Sequence, residues 1–273
     1  MTDTPINLLF CTRGGLHGAL VLRELLASPR IRVCGIVFSS RVFRPGDGFV
    51  RGALALWQRT GLAYLLYLWS STSLAGMLMT LSPLATVRAA ARQRGIPLMV
   101  TDRINDEPCR QFVAAQSPHL LASAFFDQHI GAAVAAIPAA GAVNIHPSLL
   151  PQFKGVDPVF FATLRRAECG VSVHRITAEF DGGYILCQQP VPARSGDSVL
   201  RTTARLYQRG AELLVSAINE IAAGVPGTPQ AGGGYDSWPA PAQVRELAAL
   251  PASLVSARDL LDLARGHVTG DAP

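Results

Sequence analysis

Asn144 and His146 stand two apart at the end of an apolar run, GAVNIH. Residues i and i+2 of a strand share one face, so this spacing sets an amide beside an imidazole. The amide is a hydrogen-bond donor that can hold an oxygen as it gains negative charge. The imidazole titrates near working pH and can take or give a proton next to it. Behind them, Pro147 and Pro151 force an extended loop that leads away from the strand, and Gly155 permits a sharp turn. Taken singly, a buried Asn or His is the ordinary satisfied polar group of a core.

The elements that must position this pair can be read from the patterning. Runs at 6–11 and 31–38 are apolar and rich in branched side chains, and 16–27 between them carries a helical leucine stripe. Then follow a helix at 86–95, a short strand at 97–100, a helix at 106–116, and strands at 119–125 and 141–146. Alternating strand and helix predicts a mostly parallel twisted sheet of the Rossmann-like α/β class, with helices on both faces. Ligands of such sheets sit at the carboxyl ends of the strands, where Asn144 and His146 fall. After a helix at 158–167, the runs 170–177 and 185–193 are separated only by turn residues and predict an added antiparallel hairpin. A long helix at 198–223, a Gly- and Pro-rich loop at 224–241 and a terminal helix at 253–266 complete the chain. The expected organisation is a catalytic domain over 1–225 and a loop with a short helical appendage over 226–273.

One stretch breaks this rhythm. Between Arg59 and Arg88 there is no charged residue, and GLAYLLYLWSSTSLAGMLMTL is long enough to be weighed as a membrane span. A crossing would put the strands at 31–38 and 97–100 on opposite sides, and the SSTS cluster at 70–73 is expected to split the run. Residues 41–88 are therefore read as an insertion of one or two apolar helices, with no membrane span. Three roles stay open for it: packing on the domain or in a homodimer, peripheral lipid contact, or a lid over an apolar acceptor.

Asn144-Ile145-His146-Pro147-Ser148-Leu149-Leu150-Pro151, followed by Gly155, resembles the signature of the folate-dependent formyltransferase family, which includes glycinamide ribonucleotide transformylase, methionyl-tRNA formyltransferase and sugar N-formyltransferases. The block GVSVHRITAEFDGG at 170–183 resembles the family's second motif, whose hairpin loop delivers an aspartate, here Asp181. The similarity covers about 5–225 apart from 41–88. It implies the formyltransferase fold, 10-formyltetrahydrofolate as formyl donor, and transfer to a primary amine of a small molecule such as an amino sugar nucleotide or a biosynthetic amine. Asn144, His146 and Asp181 would be catalytic, acting on a tetrahedral intermediate; which of His146 and Asp181 takes the proton stays open. The same residues with water as acceptor would make a 10-formyltetrahydrofolate hydrolase.

The resemblance also places the carrier. Its pterin would lie against Leu121, Ala122, Ser123, Ala124 and Phe125 on one side and Glu179, Phe180, Gly182 and Gly183 on the other, flanked by Ser148, Leu149, Leu150 and Pro151. Arg13, Gly14 and Gly15, in a loop that opens a helix, are candidates for an acceptor phosphate or carboxylate; Tyr184 could present an aromatic ring to the acceptor, and His174 could contact it, stand behind the active site or simply pair with a neighbouring strand. Tyr184 stands where relatives carry proline, and Phe153-Lys154 replaces the commoner Tyr-Arg. No counterpart of the C-terminal barrel of methionyl-tRNA formyltransferases is expected, which argues against a tRNA acceptor.

Composition agrees with an enzyme of this kind. With 49% apolar and 16% charged residues and a mean hydropathy of +0.27, the chain can bury a large core. A net charge of +5 suits an anionic ligand, and no dense basic stripe with interleaved aromatics suggests nucleic acid. Five scattered cysteines without a CxxC pair fit neither a disulfide framework nor a zinc site, so no metal and a reducing cytoplasm are expected.

Overall fold

The computed structural model describes residues 4–41 and 49–267. Residues 42–48 of the expected insertion and 268–273 of the expected appendage lie outside the described residues. The first half runs β1 (Ile6–Thr12), α1 (Gly15–Ala27), β2 (Ile31–Ser39), α2 (Phe49–Thr60), α3 (Leu62–Trp69), a π-helical turn (Ser70–Leu74), α4 (Ala75–Met79), α5 (Val87–Gln93), β3 (Leu98–Thr101), α6 (Glu107–Ala115) and β4 (Leu120–Ala124). Then come α7 (Ala132–Ala135), β5 (Ala142–His146), β6 (Lys154–Gly155), α8 (Pro158–Leu164), β7 (Gly170–Arg175), β8 (Ile185–Pro190), α9 (Val199–Ser216), α10 (Ile218–Ala222), β9 (Tyr235–Asp236), α11 (Pro241–Ala248) and α12 (Ala257–Arg265).

Seven strands form one sheet in the order β3-β2-β1-β4-β5-β7-β8. Pairing is parallel from β3 to β5 and antiparallel for β5–β7 and β7–β8, so the expected sheet with an added hairpin is the one that forms. The central strands are apolar on both faces because both are covered. Leu8 and Phe10 of β1 face a core shared with α1 and α9, whereas Leu9 and Cys11 face a second core with Cys109 and Val113 of α6. Helix starts are written locally: Thr86, Asp157 and Ser198 each accept a backbone N–H of their own first turn.

Three expectations change. The SSTS cluster does not split the apolar run. Ser70 and Thr72 turn their hydroxyls back to the carbonyls of Leu66 and Leu68, and the chain passes through the π turn as one rod, Leu62–Met79. By length and composition that rod could cross a membrane; 33% of it is buried against the protein. The strands before and after the insertion, β2 and β3, are parallel neighbours in one sheet. Second, the helix expected at 198–223 is broken at Ala217 into α9 and α10. Third, the loop at 224–241 contains β9, which pairs with β6, and α11 follows it. A two-residue strand has no periodicity to read, and eight residues of helix show the i, i+3, i+4 pattern barely twice.

Candidate active site

Strand register brings the first polar row together. Asn144 on β5 lies opposite Ser123 on β4 and His174 on β7. Ser123 Oγ donates to Asn144 Oδ1 at 2.7 Å, and His174 Nε2 lies 3.2 Å from Asn144 Nδ2. His174 Nδ1 sits 2.9 Å from the carbonyl of Arg175, and a carbonyl can only accept. Nδ1 therefore carries the proton, Nε2 accepts from Asn144, and the second amide hydrogen of Asn144 is left for the cleft.

His146 is fixed by the same reasoning. Its Nε2 donates to the carbonyl of Phe153 at 2.9 Å, which a left-handed backbone (φ 55°) turns toward it. Its Nδ1 faces Asp181 Oδ1 at 3.5 Å. Asp181 itself sits in the left-handed region (φ 51°), which short polar side chains tolerate. Gly155 N–H donates to its Oδ2 at 3.0 Å, and Gln230 Nε2 donates to its carbonyl at 2.9 Å. Oδ1 of the same carboxylate is also 3.5 Å from His174 Nε2.

Burial pushes the His146 imidazole below its ordinary range, with Asp181 pulling partly the other way. Burial raises the Asp181 carboxyl, but the attraction of His146 in its charged form and the Gly155 N–H outweigh it and hold it well below the usual carboxylate range. At neutral pH the arrangement is a neutral imidazole with a bare Nδ1 turned toward an ionised carboxylate. Such a pair can accept a proton and keep the resulting imidazolium paired.

These groups open on a cavity of about 330 Å³ whose wall includes Arg13, Phe125, Asn144, His146, Phe180 and Asp181. The other expected carrier residues lie elsewhere. Leu121, Ala122, Ser123 and Ala124 are buried in β4 behind the wall. Ser148, Leu149, Leu150 and Pro151 brace their loop against the hairpin: Ser172 Oγ donates to the Ser148 carbonyl at 2.6 Å, Leu150 N–H donates to Ser172 Oγ, and Leu149 packs against Gly170. Glu179 is exposed and pairs with Lys154 at 3.3 Å, Gly182 lies against Glu179, and Gly183 against the Arg175 carbonyl. Of the expected acceptor residues, Arg13 reaches the cavity and pairs with Asp127 at 3.7 Å. Gly14 and Gly15 do not line it; a Cβ on Gly15 would meet the Ser71 carbonyl of the insertion. His174 is buried behind Asn144, and Tyr184 is exposed away from the cavity.

Several cavity residues are not singled out one by one in the sequence. Tyr64, Tyr67, Leu68 and Ser71 come from the insertion, so it walls the cavity as well as packing on the core. Tyr64 donates to Asp157 Oδ2 at 2.8 Å, and burial pushes the Asp157 carboxyl up to about 6 despite that bond and the one from Phe160 N–H. Next to this wall, His17 is fully buried with neither ring nitrogen hydrogen-bonded, stacked 5.3 Å from Tyr207, and burial lowers it to about 3. Among the described residues no three His, Cys, Asp or Glu side chains are grouped as metal ligands.

Comparison with known proteins gives a consistent result. Residues 75–218 match the model of the family described as Formyl transferase. A methionyl-tRNA formyltransferase of Roseiflexus sp. (strain RS-1) is 37% identical over 145 residues, covering 53% of this chain and 44% of that protein. The chain thus spans less than half the length of such curated relatives. A solved sugar N-formyltransferase from a Shewanella species superposes with a TM-score of 0.56 at 16% identity, over 94% of this chain and 86% of that one. An N-formyltransferase from Helicobacter canadensis, solved with folinic acid and dTDP-3-aminofucose, gives 0.52 at 16% identity, over 85% and 71%. At such identities these two likenesses speak for the fold.

Proposed function

This chain belongs to the formyl transferase family, and from that premise we propose that it moves a formyl group from 10-formyltetrahydrofolate to a primary amine through a tetrahedral intermediate, at Asn144, His146 and Asp181. The carrier supplies the formyl carbon and leaves as tetrahydrofolate. The observation that carries the reading is the carboxylate of Asp181, 3.5 Å from each of two imidazoles and beside the amide of Asn144 at one cavity. The free amide hydrogen of Asn144 holds the formyl oxygen as it becomes negative, a contribution on the order of 3 kcal/mol for a fixed donor. The bare Nδ1 of His146 takes the proton that the attacking amine sheds, and Asp181 neutralises the imidazolium until that proton passes to the departing nitrogen.

The wall suits a folate. Phe125, Phe126 and Phe180 give flat apolar surface. The related enzyme from Helicobacter canadensis was solved with folinic acid, which supports a folate donor here.

For the acceptor, the charges on the wall favour a biosynthetic amine over a sugar nucleotide. Among the described residues they are Asp127, Asp157 and Asp181 against Arg13, which is already paired. A pyrophosphate would meet the Arg13–Asp127 pair and two further carboxylates, whereas an amine on an apolar body meets no such repulsion. The five cysteines, all free, fit a cytoplasmic setting.

The test is to incubate the protein with 10-formyltetrahydrofolate and a panel of amines and to follow tetrahydrofolate release. Release that requires an amine, and that falls by at least about 100-fold in H146A and D181A, is the expected result. Equal release with and without amine would make the protein a hydrolase; variants as fast as the parent would remove the assignment.

A further inference from the structure

The insertion has a second surface. On the rod Leu62–Met79, Tyr64 and Tyr67 are buried at the cavity, while Leu62, Leu66 and Trp69 are about half exposed. Those three follow the i, i+4, i+7 spacing of one helical stripe. On α2, Leu54 and Trp57 are exposed with the matching three-residue step, and Gly61 alone joins the two helices. Two tryptophans and three leucines bare on consecutive helices exceed the scatter of single apolar residues on an ordinary surface.

Charge decides what this surface fits. Between Phe49 and Val87 the charged residues are Arg51 and Arg59, both exposed, with no carboxylate. A second copy related by a two-fold axis would set this basic surface against itself with nothing to answer it. An anionic bilayer answers both features: its acyl boundary takes the leucines, its headgroups take the arginines, and indole rings settle between the two. The rod is tied at both ends to one sheet through β2 and β3, so it can lie on a bilayer without crossing it.

We propose that α2 and the rod Leu62–Met79 form a docking face for an anionic lipid bilayer. Co-sedimentation of the full chain with phosphatidylcholine vesicles, with and without phosphatidylglycerol, tests this. Binding is expected to the mixed vesicles, to weaken as salt is raised, and to be slight on phosphatidylcholine alone. R51Q and R59Q should each lower it about 5-fold, and L66E/W69E about 10-fold or more, with circular dichroism unchanged. Emission from Trp69 as the only tryptophan, in W57F/W238F, should be quenched by brominated lipid. Failure to sediment with anionic vesicles, or L66E/W69E binding like the parent, would overturn the proposal. So would a parent dimer that L66E/W69E makes monomeric, which would assign the face to a second copy.

Discussion

His174 Nε2 lies 3.2 Å from the amide nitrogen of Asn144 and 3.5 Å from Oδ1 of Asp181, so one buried imidazole touches two of the three side chains proposed to act on the formyl group. It does not line the cavity described above. Its part is to aim the amide. H174A should therefore lower kcat about 10-fold while KM stays near the parent value. H174Q, whose amide oxygen can accept where Nε2 did, should recover part of the loss. Steady-state kinetics on the three proteins checks this, and a rise in KM with kcat unchanged would assign His174 to binding.

Rate should follow the bare Nδ1 of His146. Burial lowers this imidazole, so at saturating amine kcat should climb with pH through a value below 6.5. Asp181 is ionised throughout that window because it is held well below the usual carboxylate range. Removing its charge in D181N takes away what favours the imidazolium. The acid limb should then move to lower pH as the plateau falls. A limb that moves up in a pH–rate profile would contradict these roles.

Gly155 has φ 117°, and a Cβ there would run into the Asp236 carbonyl. Its N–H also holds Asp181. G155A should cost about 1–3 kcal/mol of stability, or about 2–4 °C in Tm for each kcal/mol, and should slow turnover by loosening the carboxylate. Calorimetry and a turnover assay on the same preparation read both effects.

His17 is buried, unpaired and lowered to about 3. Its folded form resists protonation, so the stability it contributes is present above 6.5 and drains away as pH falls from 6.5 toward 3, by about 1.4 kcal/mol per unit. H17F cannot take that proton. Its stability relative to the parent should rise as pH falls below 6.5, measured by urea unfolding between pH 5 and pH 8 (about 2 kcal/mol over the window).

Much of this site could be read before any coordinates. Two-residue periodicity put Asn144 and His146 on one face of a strand, and alternating elements put that strand end at a ligand edge. What escaped reading depends on distance in the chain. The sequence leaves His174 open between an acceptor contact and a residue behind the site, because its register against Asn144 is set by a hairpin pairing rather than by local sequence. Phe153 holds His146 by its carbonyl, which side-chain identity does not reveal. Tyr64 and Tyr67 have no local signature apart from their apolar segment, for which a lid is one of the open roles, and the rod lays them over the cavity. Serine and threonine favour turns, so the SSTS cluster predicts a break, and here their hydroxyls are satisfied inside the helix instead.

The rod Leu62–Met79 is thin compared with what it separates. An α-helix with its side chains measures about 10–12 Å across, and Tyr67 looks inward from it while Trp69, two positions on, looks out. Any shift of this one cylinder about its axis would therefore reshape the cavity that Tyr64 and Tyr67 line. The outer surface of the protein and the volume of its reaction vessel are in this way a single mechanical variable.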